Sequence, residues 1–386
     1  MLKRALAVVM AGTMVLSMAA CGSEAEPAAE SGSATVKIGG IGPLTGSAAV
    51  YGNAVYHGAQ IAVDEINAKD PNFQFELNFQ DDENDAEKAV NAYQKLKDWG
   101  VQLLLGTVTT TPCVAVSAET FADRVFELTP SASSTDVTKG KDNVFQLCFT
   151  DPNQGTTAAK YLVDNNLGEK IAVIYNNADA YSTGIYNAFT AELKKSGKDV
   201  VYTGTFSSDD NADFSVQLTG AQSAGADLVF MPIYYTPASM ILAQASKMNY
   251  APTFFGVDGM DGILAMEGFN KDLAENLMLM TPFNPWSKDE KVAAFVKTYE
   301  EKYGETPNQF AADAYDVVYA FYAACQAKGV TAETPASDAC EAFVEYFTTE
   351  AKFDGLTGKG MTWGTNGEVS KDPVVCVIQG GIYVDR

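Results

Sequence analysis

Apolar and polar positions along this chain fall into two alternating periods. Residues 36–41 form a short apolar run that enters a turn holding Gly39, Gly40, Gly42, Pro43, Thr45 and Gly46. After it Val55, Ala59, Ala62, Val63 and Ile66 recur at helical spacing. Residues 73–85 alternate as a strand and end in acids. Ala86, Ala89, Val90, Tyr93 and Leu96 then mark an amphipathic helix stopped by Gly100. Residues 101–106 are continuously apolar, as a strand buried on both faces must be. A hydroxyl-rich turn at 107–112 leads into a helix to about Asp123. A strand from 124 then leads into a turn carrying Ser131, Ser133 and Ser134, and 145–149 is another strand.

The alternation restarts after a break at 151–155. It predicts helix 156–166, strand 170–175, a loop at 176–184 and a helix to about Ser196. Strand 200–206, helix 213–224, strand 227–232, helix 237–248 and strands 253–257 and 277–283 follow. Beyond a second break at 281–285 come helices 289–303, 309–328 and 336–350, and a single apolar strand at 374–384 closes the chain. Repeated βα units call for parallel sheets with helices on both faces. Two such series, followed by late helices, predict two doubly wound, Rossmann-like α/β lobes joined by more than one crossing. At 386 residues, two domains also fit a prior of roughly 150 residues each.

The first residues bear on the compartment. Lys3 and Arg4 precede an apolar run at 5–18 that is too short to span a bilayer. The run ends in small residues before Cys21, which resembles a bacterial lipobox. That resemblance implies cleavage before Cys21 and a lipid on its sulfur, with Met18 where such boxes prefer Leu. An ordinary secretory site beside an incidental Cys is the alternative. Residues 22–34 are acidic, small and aperiodic and read as a flexible tether. Net charge is −23, and loss of Lys3 and Arg4 makes the remainder more negative still. Binding of nucleic acid or of an anionic membrane through the body needs a basic face, so that charge argues against both. Cys113, Cys148, Cys325, Cys340 and Cys376 show no CxxC or Cys/His cluster, so no metal site is expected. Cys325–Cys340 and Cys113–Cys148 are the first pairings to consider, with one thiol left over.

Ligands of open parallel sheets bind at the carboxyl ends of the strands. In the first series those ends carry residues 44–51, 107–111 and 131–134; in the second they carry 179–182, 234–236 and 258–261. One series offers hydroxyls and helix N-termini, the other tyrosines and carboxylates. A ligand with a carboxylate and a nearby ammonium suits that division. Ordinary capping accounts for many of the Ser and Thr residues. Tyr181 and Tyr234 also fit a rim, and Asp258 fits a turn beside Gly256 and Gly259. Enzyme chemistry has less to stand on. Gly40-x-Gly42-x-x-x-Gly46 echoes a dinucleotide loop, but Pro43 and a long turn delay the helix. The only histidine, His57, lies off the apolar stripe and is expected to be solvated. No GxSxG or HExxH occurs, and adjacent Asp81 and Asp82 point to opposite faces of a strand.

The order of motifs resembles the type I periplasmic solute-binding proteins of ABC importers, specifically the leucine/isoleucine/valine-binding group. The resemblance runs from about Val36 to the C-terminus. It rests on IGPLTGSAAVYG (41–52), LLGTVTTT (104–111), LTPSASS (128–134), DPNQGTTAAKYL (151–162), AYSTG (180–184) and FDGLTG (353–358). It implies a non-enzymatic receptor without cofactors that works as a monomer. The receptor is extracytoplasmic and held to the membrane by its lipid alone. An amino acid, branched or otherwise apolar, binds in a cleft between the lobes and passes to a membrane permease after hinge closure. By the same resemblance Thr110, Ser131 and Ser133 hold the ligand carboxylate and Asp258 its ammonium. Tyr51, Tyr181 and Tyr234 wall the side chain, with Tyr235 an alternative to Tyr234. The implied lobes are 35–150 plus 285–355 and 154–280 plus 361–386, with crossings near 151–155, 281–285 and 355–361. The family's first-lobe disulfide has no counterpart, since Asp82 or Glu83 and Thr109 stand at those positions. A receptor of the same fold for an amide, urea or an aromatic acid, or a nucleotide-using enzyme, are the alternatives.

Overall fold

The computed structural model describes residues 35–208 and 212–386. The expected signal segment at 1–21, its Cys21 and the tether at 22–34 lie outside the described residues. The first series runs β1 (Val36–Gly42), α1 (Ala49–Lys69), β2 (Phe75–Asp81), α2 (Ala86–Trp99), β3 (Leu103–Gly106), α3 (Thr110–Asp123), β4 (Phe126–Thr129) and β5 (Val144–Gln146). Its five strands are parallel in the order β2-β1-β3-β4-β5. β3 and β4 are buried at every position, which is why their sequences are unbroken apolar runs apart from Glu127 and Thr129. α2 starts where Asp85 accepts a hydrogen bond from the Lys88 N–H, and it stops at Gly100 with φ of 89°.

The second series runs α4 (Asp151–Asp164), β6 (Ile171–Asn176), α5 (Ala180–Lys195), β7 (Val200–Phe206), α6 (Ser215–Ser223), β8 (Leu228–Met231), α7 (Tyr235–Lys247), β9 (Thr253–Gly256) and β10 (Met278–Thr281). A short 3-10 turn, Asp258–Met260, follows β9. α8 (Glu290–Tyr303), α9 (Gln309–Lys328) and α10 (Ala336–Thr349) then return to the first sheet. There α9 packs along α1, and α10 packs against β4. The second sheet has seven strands in the order β12-β11-β10-β9-β8-β6-β7. Both sheets therefore reverse strand order once, between β1 and β3 and between β6 and β8, and two α/β lobes result.

Several expectations are corrected. Residues 151–155 are no break but the first turn of α4, with Pro152 where a missing N–H costs nothing. The Ala180–Gly184 stretch is likewise the first turn of α5, capped by Asp179 through the Ser182 N–H. The single strand expected at 374–384 is a hairpin of β11 (Val374–Gln379) and β12 (Ile382–Asp385). It turns at Gly380 and Gly381, whose φ of 58° and 78° suits a two-residue turn. The hairpin adds two antiparallel strands to a sheet expected to be parallel.

The third crossing also moves. Phe353 bridges Met361, Trp363 bridges Val369, and Trp363 Nε1 donates to Gln146 O at 2.8 Å. Gln146 N donates to Gly367 O at 2.9 Å. Residues 353–369 thus stay beside β5, and the chain reaches the second sheet only at Val374. The stretch from 361 to 369 belongs with the first sheet, contrary to the expected lobe boundary at 361.

Candidate functional site

The loops at the strand ends of both sheets converge on one cavity. Between β1 and α1 the turn is fixed from the next strand: Asp81 accepts from Leu44 N at 2.8 Å and from Thr45 Oγ1 at 2.7 Å. That turn delivers Tyr51 on the first turn of α1. β3 delivers Thr109 and Thr110 at the start of α3, whose first N–H groups have no acceptor within the helix. β4 delivers Ser131, α5 delivers Tyr181, β8 leads to Tyr234, and β9 leads to Asp258 in its 3-10 turn.

The cavity is tight, with about 10 Å³ of free volume. Six of the seven expected residues line it: Tyr51, Thr110, Ser131, Tyr181, Tyr234 and Asp258. Val108, Thr109, Gly259 and Phe310 complete the wall. The aromatic rings form a continuous surface, with centroids 5.4 Å apart for Tyr51 and Tyr234, 5.0 Å for Tyr181 and Tyr234, and 4.3 Å for Tyr51 and Phe310. Larger grooves lie on the surface, one of about 620 Å³ beside Trp286 and Asn308. They are open to solvent, whereas the small cavity is where buried polar groups meet.

Asp258 is the electrostatic centre. Its side chain is buried, and burial pushes its carboxyl up to about 6. Tyr181 Oη donates to Asp258 Oδ1 at 2.6 Å and accepts from Gly259 N at 2.9 Å. Burial, reinforced by the Asp258 charge, holds the Tyr181 hydroxyl far above its ordinary value, so it remains a donor. Gln154 Oε1 accepts from Asp258 N at 3.2 Å. Across the cavity Tyr51 Oη donates to Gly259 O and accepts from Tyr235 N. Tyr235 turns its own hydroxyl to Val50 N, 3.2 Å away. Of the two adjacent tyrosines, Tyr234 therefore lines the cavity, and Tyr235 ties α7 to α1.

Two serines expected at the site are placed differently from each other. Ser131 Oγ donates its one proton to Val108 O at 2.6 Å, so it faces the cavity with lone pairs, which suit a cation better than a carboxylate. Ser133 is fully buried and does not line the cavity; its carbonyl accepts from Asp151 N at 2.9 Å. The Asp151 carboxyl is buried, and burial, opposed by the Ser133 side chain, raises it well above the usual range. Asp151 and Gln154 occupy the first turn of α4 three residues apart, so they share a helix face. The sequence carried them in DPNQG, where the Pro and Gly suggested a break. Gln309 and Phe310, at the start of α9, gave no local signal at all.

The remaining chemistry is structural. His57 is half-buried rather than solvated: its ring stacks on Tyr303 at 3.7 Å, and Nδ1 lies 3.3 Å from Tyr299 Oη and 3.5 Å from Glu305 Oε1. Cys113, Cys148, Cys325, Cys340 and Cys376 are buried and unpaired, so neither pairing considered is formed. Cys113 Sγ instead donates to Glu127. Among the described residues no group of His, Cys, Asp and Glu is placed to hold a metal ion, and no helix is long and apolar enough to cross a membrane.

Comparison with known proteins gives this geometry a context. The pattern of the family described as periplasmic binding protein matches residues 35–381. The Leu/Ile/Val-binding protein BraC3 of Rhizobium johnstonii is 34% identical over 230 residues, covering 59% of this chain and 62% of that protein. More than a third of that relative's length thus lies outside the match. The crystal structure of the branched-chain amino acid transporter substrate binding protein LivJ from Streptococcus pneumoniae, in complex with isoleucine, is 28% identical with a TM-score of 0.82. It covers 91% of this chain and 100% of its own. The leucine binding protein LivK from Thermotoga maritima is 27% identical with a TM-score of 0.81, over 91% of this chain and 98% of its own.

Proposed function

This chain belongs to the periplasmic binding protein family, and from that premise we propose that it is an extracytoplasmic receptor for an amino acid with an apolar, branched side chain. The family and its solved relatives are solute-binding proteins, not enzymes. The observation that carries the ligand is the buried Asp258 carboxylate facing, across one small cavity, the hydroxyl of Thr110 and the N-terminus of α3. A carboxylate removed from water calls for a cation, and a helix N-terminus favours an anion. An α-amino acid supplies both, one bond apart from a shared carbon. Ser131 lines the same cavity with its proton held by Val108 O.

The rest of the wall selects the side chain. The hydroxyls of Tyr51 and Tyr181 are engaged with Gly259 and Asp258, so these residues offer ring faces to the ligand, together with Tyr234, Phe310 and Val108. Apolar walls reward an aliphatic side chain and leave a polar one without partners. The names of the relatives, which bind leucine, isoleucine and valine, support the same class.

Both lobes touch the cavity, so ligand contacts made only when the lobes meet drive closure about the three crossings. Thr110 and Ser131 belong to the first lobe, and Tyr181, Tyr234 and Asp258 to the second. The closed receptor then delivers its ligand to an ABC permease, and a lipid on Cys21 keeps it at the membrane. Calorimetry with leucine, isoleucine, valine, glutamate, an amide and benzoate tests the reading on the wild type and on Asp258→Asn. The wild type is expected to bind the branched amino acids. The variant is expected to lose about 2 kcal/mol or more, roughly thirtyfold, because an ammonium loses its charged partner. Unchanged leucine affinity in the variant, or equal binding of benzoate, would sink the assignment.

A further inference from the structure

The first residue of α9 grips the turn that carries Asp258 at both ends. Gln309 Nε2 donates to Asp258 O at 2.8 Å, while Gln309 N donates to Asp261 Oδ2 at 3.0 Å. Gln309 is 2% exposed and Asp261 1%. Asp261 is itself held by the second sheet: Thr281 Oγ1 at the end of β10 donates to Oδ2 at 3.0 Å, and Tyr383 Oη on β12 donates to Oδ1 at 2.7 Å. A carboxylate of one lobe thus meets the N-terminus of a helix that packs on the other, where the helix dipole favours it.

The main chain of Asp258 is consequently held between two glutamine side chains. Gln154 of α4 takes its N–H from the second-lobe side. Gln309 of α9 takes its carbonyl from the first-lobe side. The next residue along α9, Phe310, lines the cavity and packs on Tyr51. Adjacent residues at one helix end therefore do two jobs, one walling the ligand and one fixing the turn that carries the carboxylate. Gln309 itself does not line the cavity.

We infer that Gln309 is a positioning residue that couples lobe closure to the placement of the Asp258 carboxylate against the ligand's ammonium. The Gln309 bonds cross from one lobe to the other, so they exist only when the lobes meet. Before closure the Asp258 turn keeps Gln154 and Tyr181 but lacks its second anchor. Closure adds it, and the carboxylate is then locked in the orientation in which Tyr181 holds Oδ1. Selectivity for an amino over a hydroxy group is set partly by a side chain that touches neither. The inference rests on the reading that Asp258 receives an ammonium.

Calorimetry on the full chain with leucine and with 2-hydroxy-4-methylpentanoate, which keeps the carboxylate and side chain but lacks the ammonium, tests it. The variant is Gln309→Met, which keeps the main-chain bond to Asp261 and similar bulk but removes the side-chain donor. Leucine is expected to bind about tenfold more weakly to the variant while the hydroxy acid changes little, so the preference for leucine falls. A parallel loss for both ligands means that the substitution merely loosens the helix end, and it overturns the inference, as does an unchanged preference. Asp258→Asn supplies the second measurement: in that background the Gln309→Met change is expected to cost leucine little further, and a full additive tenfold loss overturns the inference on leucine alone. A wild type that binds leucine no better than the hydroxy acid overturns the ammonium reading itself, and the inference with it.

Discussion

Lys371 Nζ lies 2.7 Å from Asp313 Oδ1, and both side chains are 2% exposed. The ammonium also donates to Thr357 Oγ1 at 2.7 Å and to Leu147 O at 3.3 Å. Thr357 Oγ1 in turn donates to Asp316 Oδ2, and the same carboxylate accepts from Leu356 N and Thr357 N. One lysine thus joins the segment entering the first crossing, the segment entering the third, and α9. The FDGLTG motif has its physical reason here, since its main-chain N–H groups are the donors that Asp316 needs.

Removing one partner of such a pair leaves the other buried and uncompensated, which costs about 3–5 kcal/mol. Lys371→Met is therefore expected to destabilise the protein by that amount in urea denaturation. Combining it with Asp313→Leu is expected to recover much of the loss, because the carboxylate that faces the ammonium is then gone and Asp316 keeps its Leu356 and Thr357 N–H donors. A single variant within about 1 kcal/mol of wild type would show that the network is dispensable.

Ligand affinity is expected to depend on pH through Asp258. Burial places its carboxyl at about 6 without ligand, and Asp313 adds to that rise, while Tyr181, Gln154 and the Gly259 N–H oppose it. An ammonium beside it favours the charged form, so binding lowers this pKa and releases a proton below about pH 6. Affinity is then level from pH 7 to 8 and weakens toward tenfold per unit as the pH falls below about 6. Asp258→Asn is expected to flatten the profile. Calorimetric titrations between pH 5 and 8 decide it, and an equally steep wild-type and variant profile would move the dependence to another group.

How far these features were legible in the sequence follows from their range. β3 and β8 announced themselves as apolar runs because both faces are covered, and the rule that open sheets bind at strand ends pointed to the stretches that carry Thr110, Tyr181 and Asp258, which line one cavity. Local punctuation misled where burial overrode it. Gly155 looked like a breaker, yet it sits in α4 because a Cβ there would lie 2.4 Å from Ile185 O of α5. The place of 361–369 was invisible, since it depends on hydrogen bonds to β5 more than two hundred residues earlier. Gln309 was missed for the same reason: it touches Asp258 and Asp261 only after two lobes have formed.

Glu127 predicts an acid-side gain in stability. It lies fully buried in β4 and accepts from Thr120 Oγ1 at 2.5 Å and Cys113 Sγ at 3.3 Å. Burial lifts its carboxyl from 4.5 to about 7. A raised folded-state value means that the native state holds the proton longer, so the contribution is complete below about pH 4.5 and is lost as the pH climbs through about 7. The difference corresponds to something on the order of 3 kcal/mol. Glu127→Gln stays neutral and keeps an acceptor, so its stability advantage over wild type is expected to grow between pH 5 and 8. Urea midpoints measured across that range test this, and a constant difference would place the titration elsewhere.

Gly58 sets two expectations against each other. In the middle of α1, alanine is worth about 1 kcal/mol more than glycine on helix propensity alone, which predicts a more stable Gly58→Ala variant. Tertiary packing predicts the reverse, because a Cβ at 58 would stand 2.0 Å from Ala311 O and 2.7 Å from Ala311 C. Those are main-chain atoms of α9 and have no rotamer to yield, so the two helices must separate. Overpacking of this kind costs about 1–3 kcal/mol, and rigid backbone on both sides puts this site at the upper end. The helices are also joined at Glu65, whose Oε2 accepts from Tyr315 and Tyr319 at 2.8 Å, so the shift cannot be confined to one contact. Gly58→Ala is therefore expected to lose about 2 kcal/mol net in urea denaturation. It should also bind leucine more weakly, since α1 carries Tyr51 and α9 carries Gln309 and Phe310. A variant more stable than wild type would mean that α1 and α9 can part freely, and that their close approach does not set the geometry of the cavity.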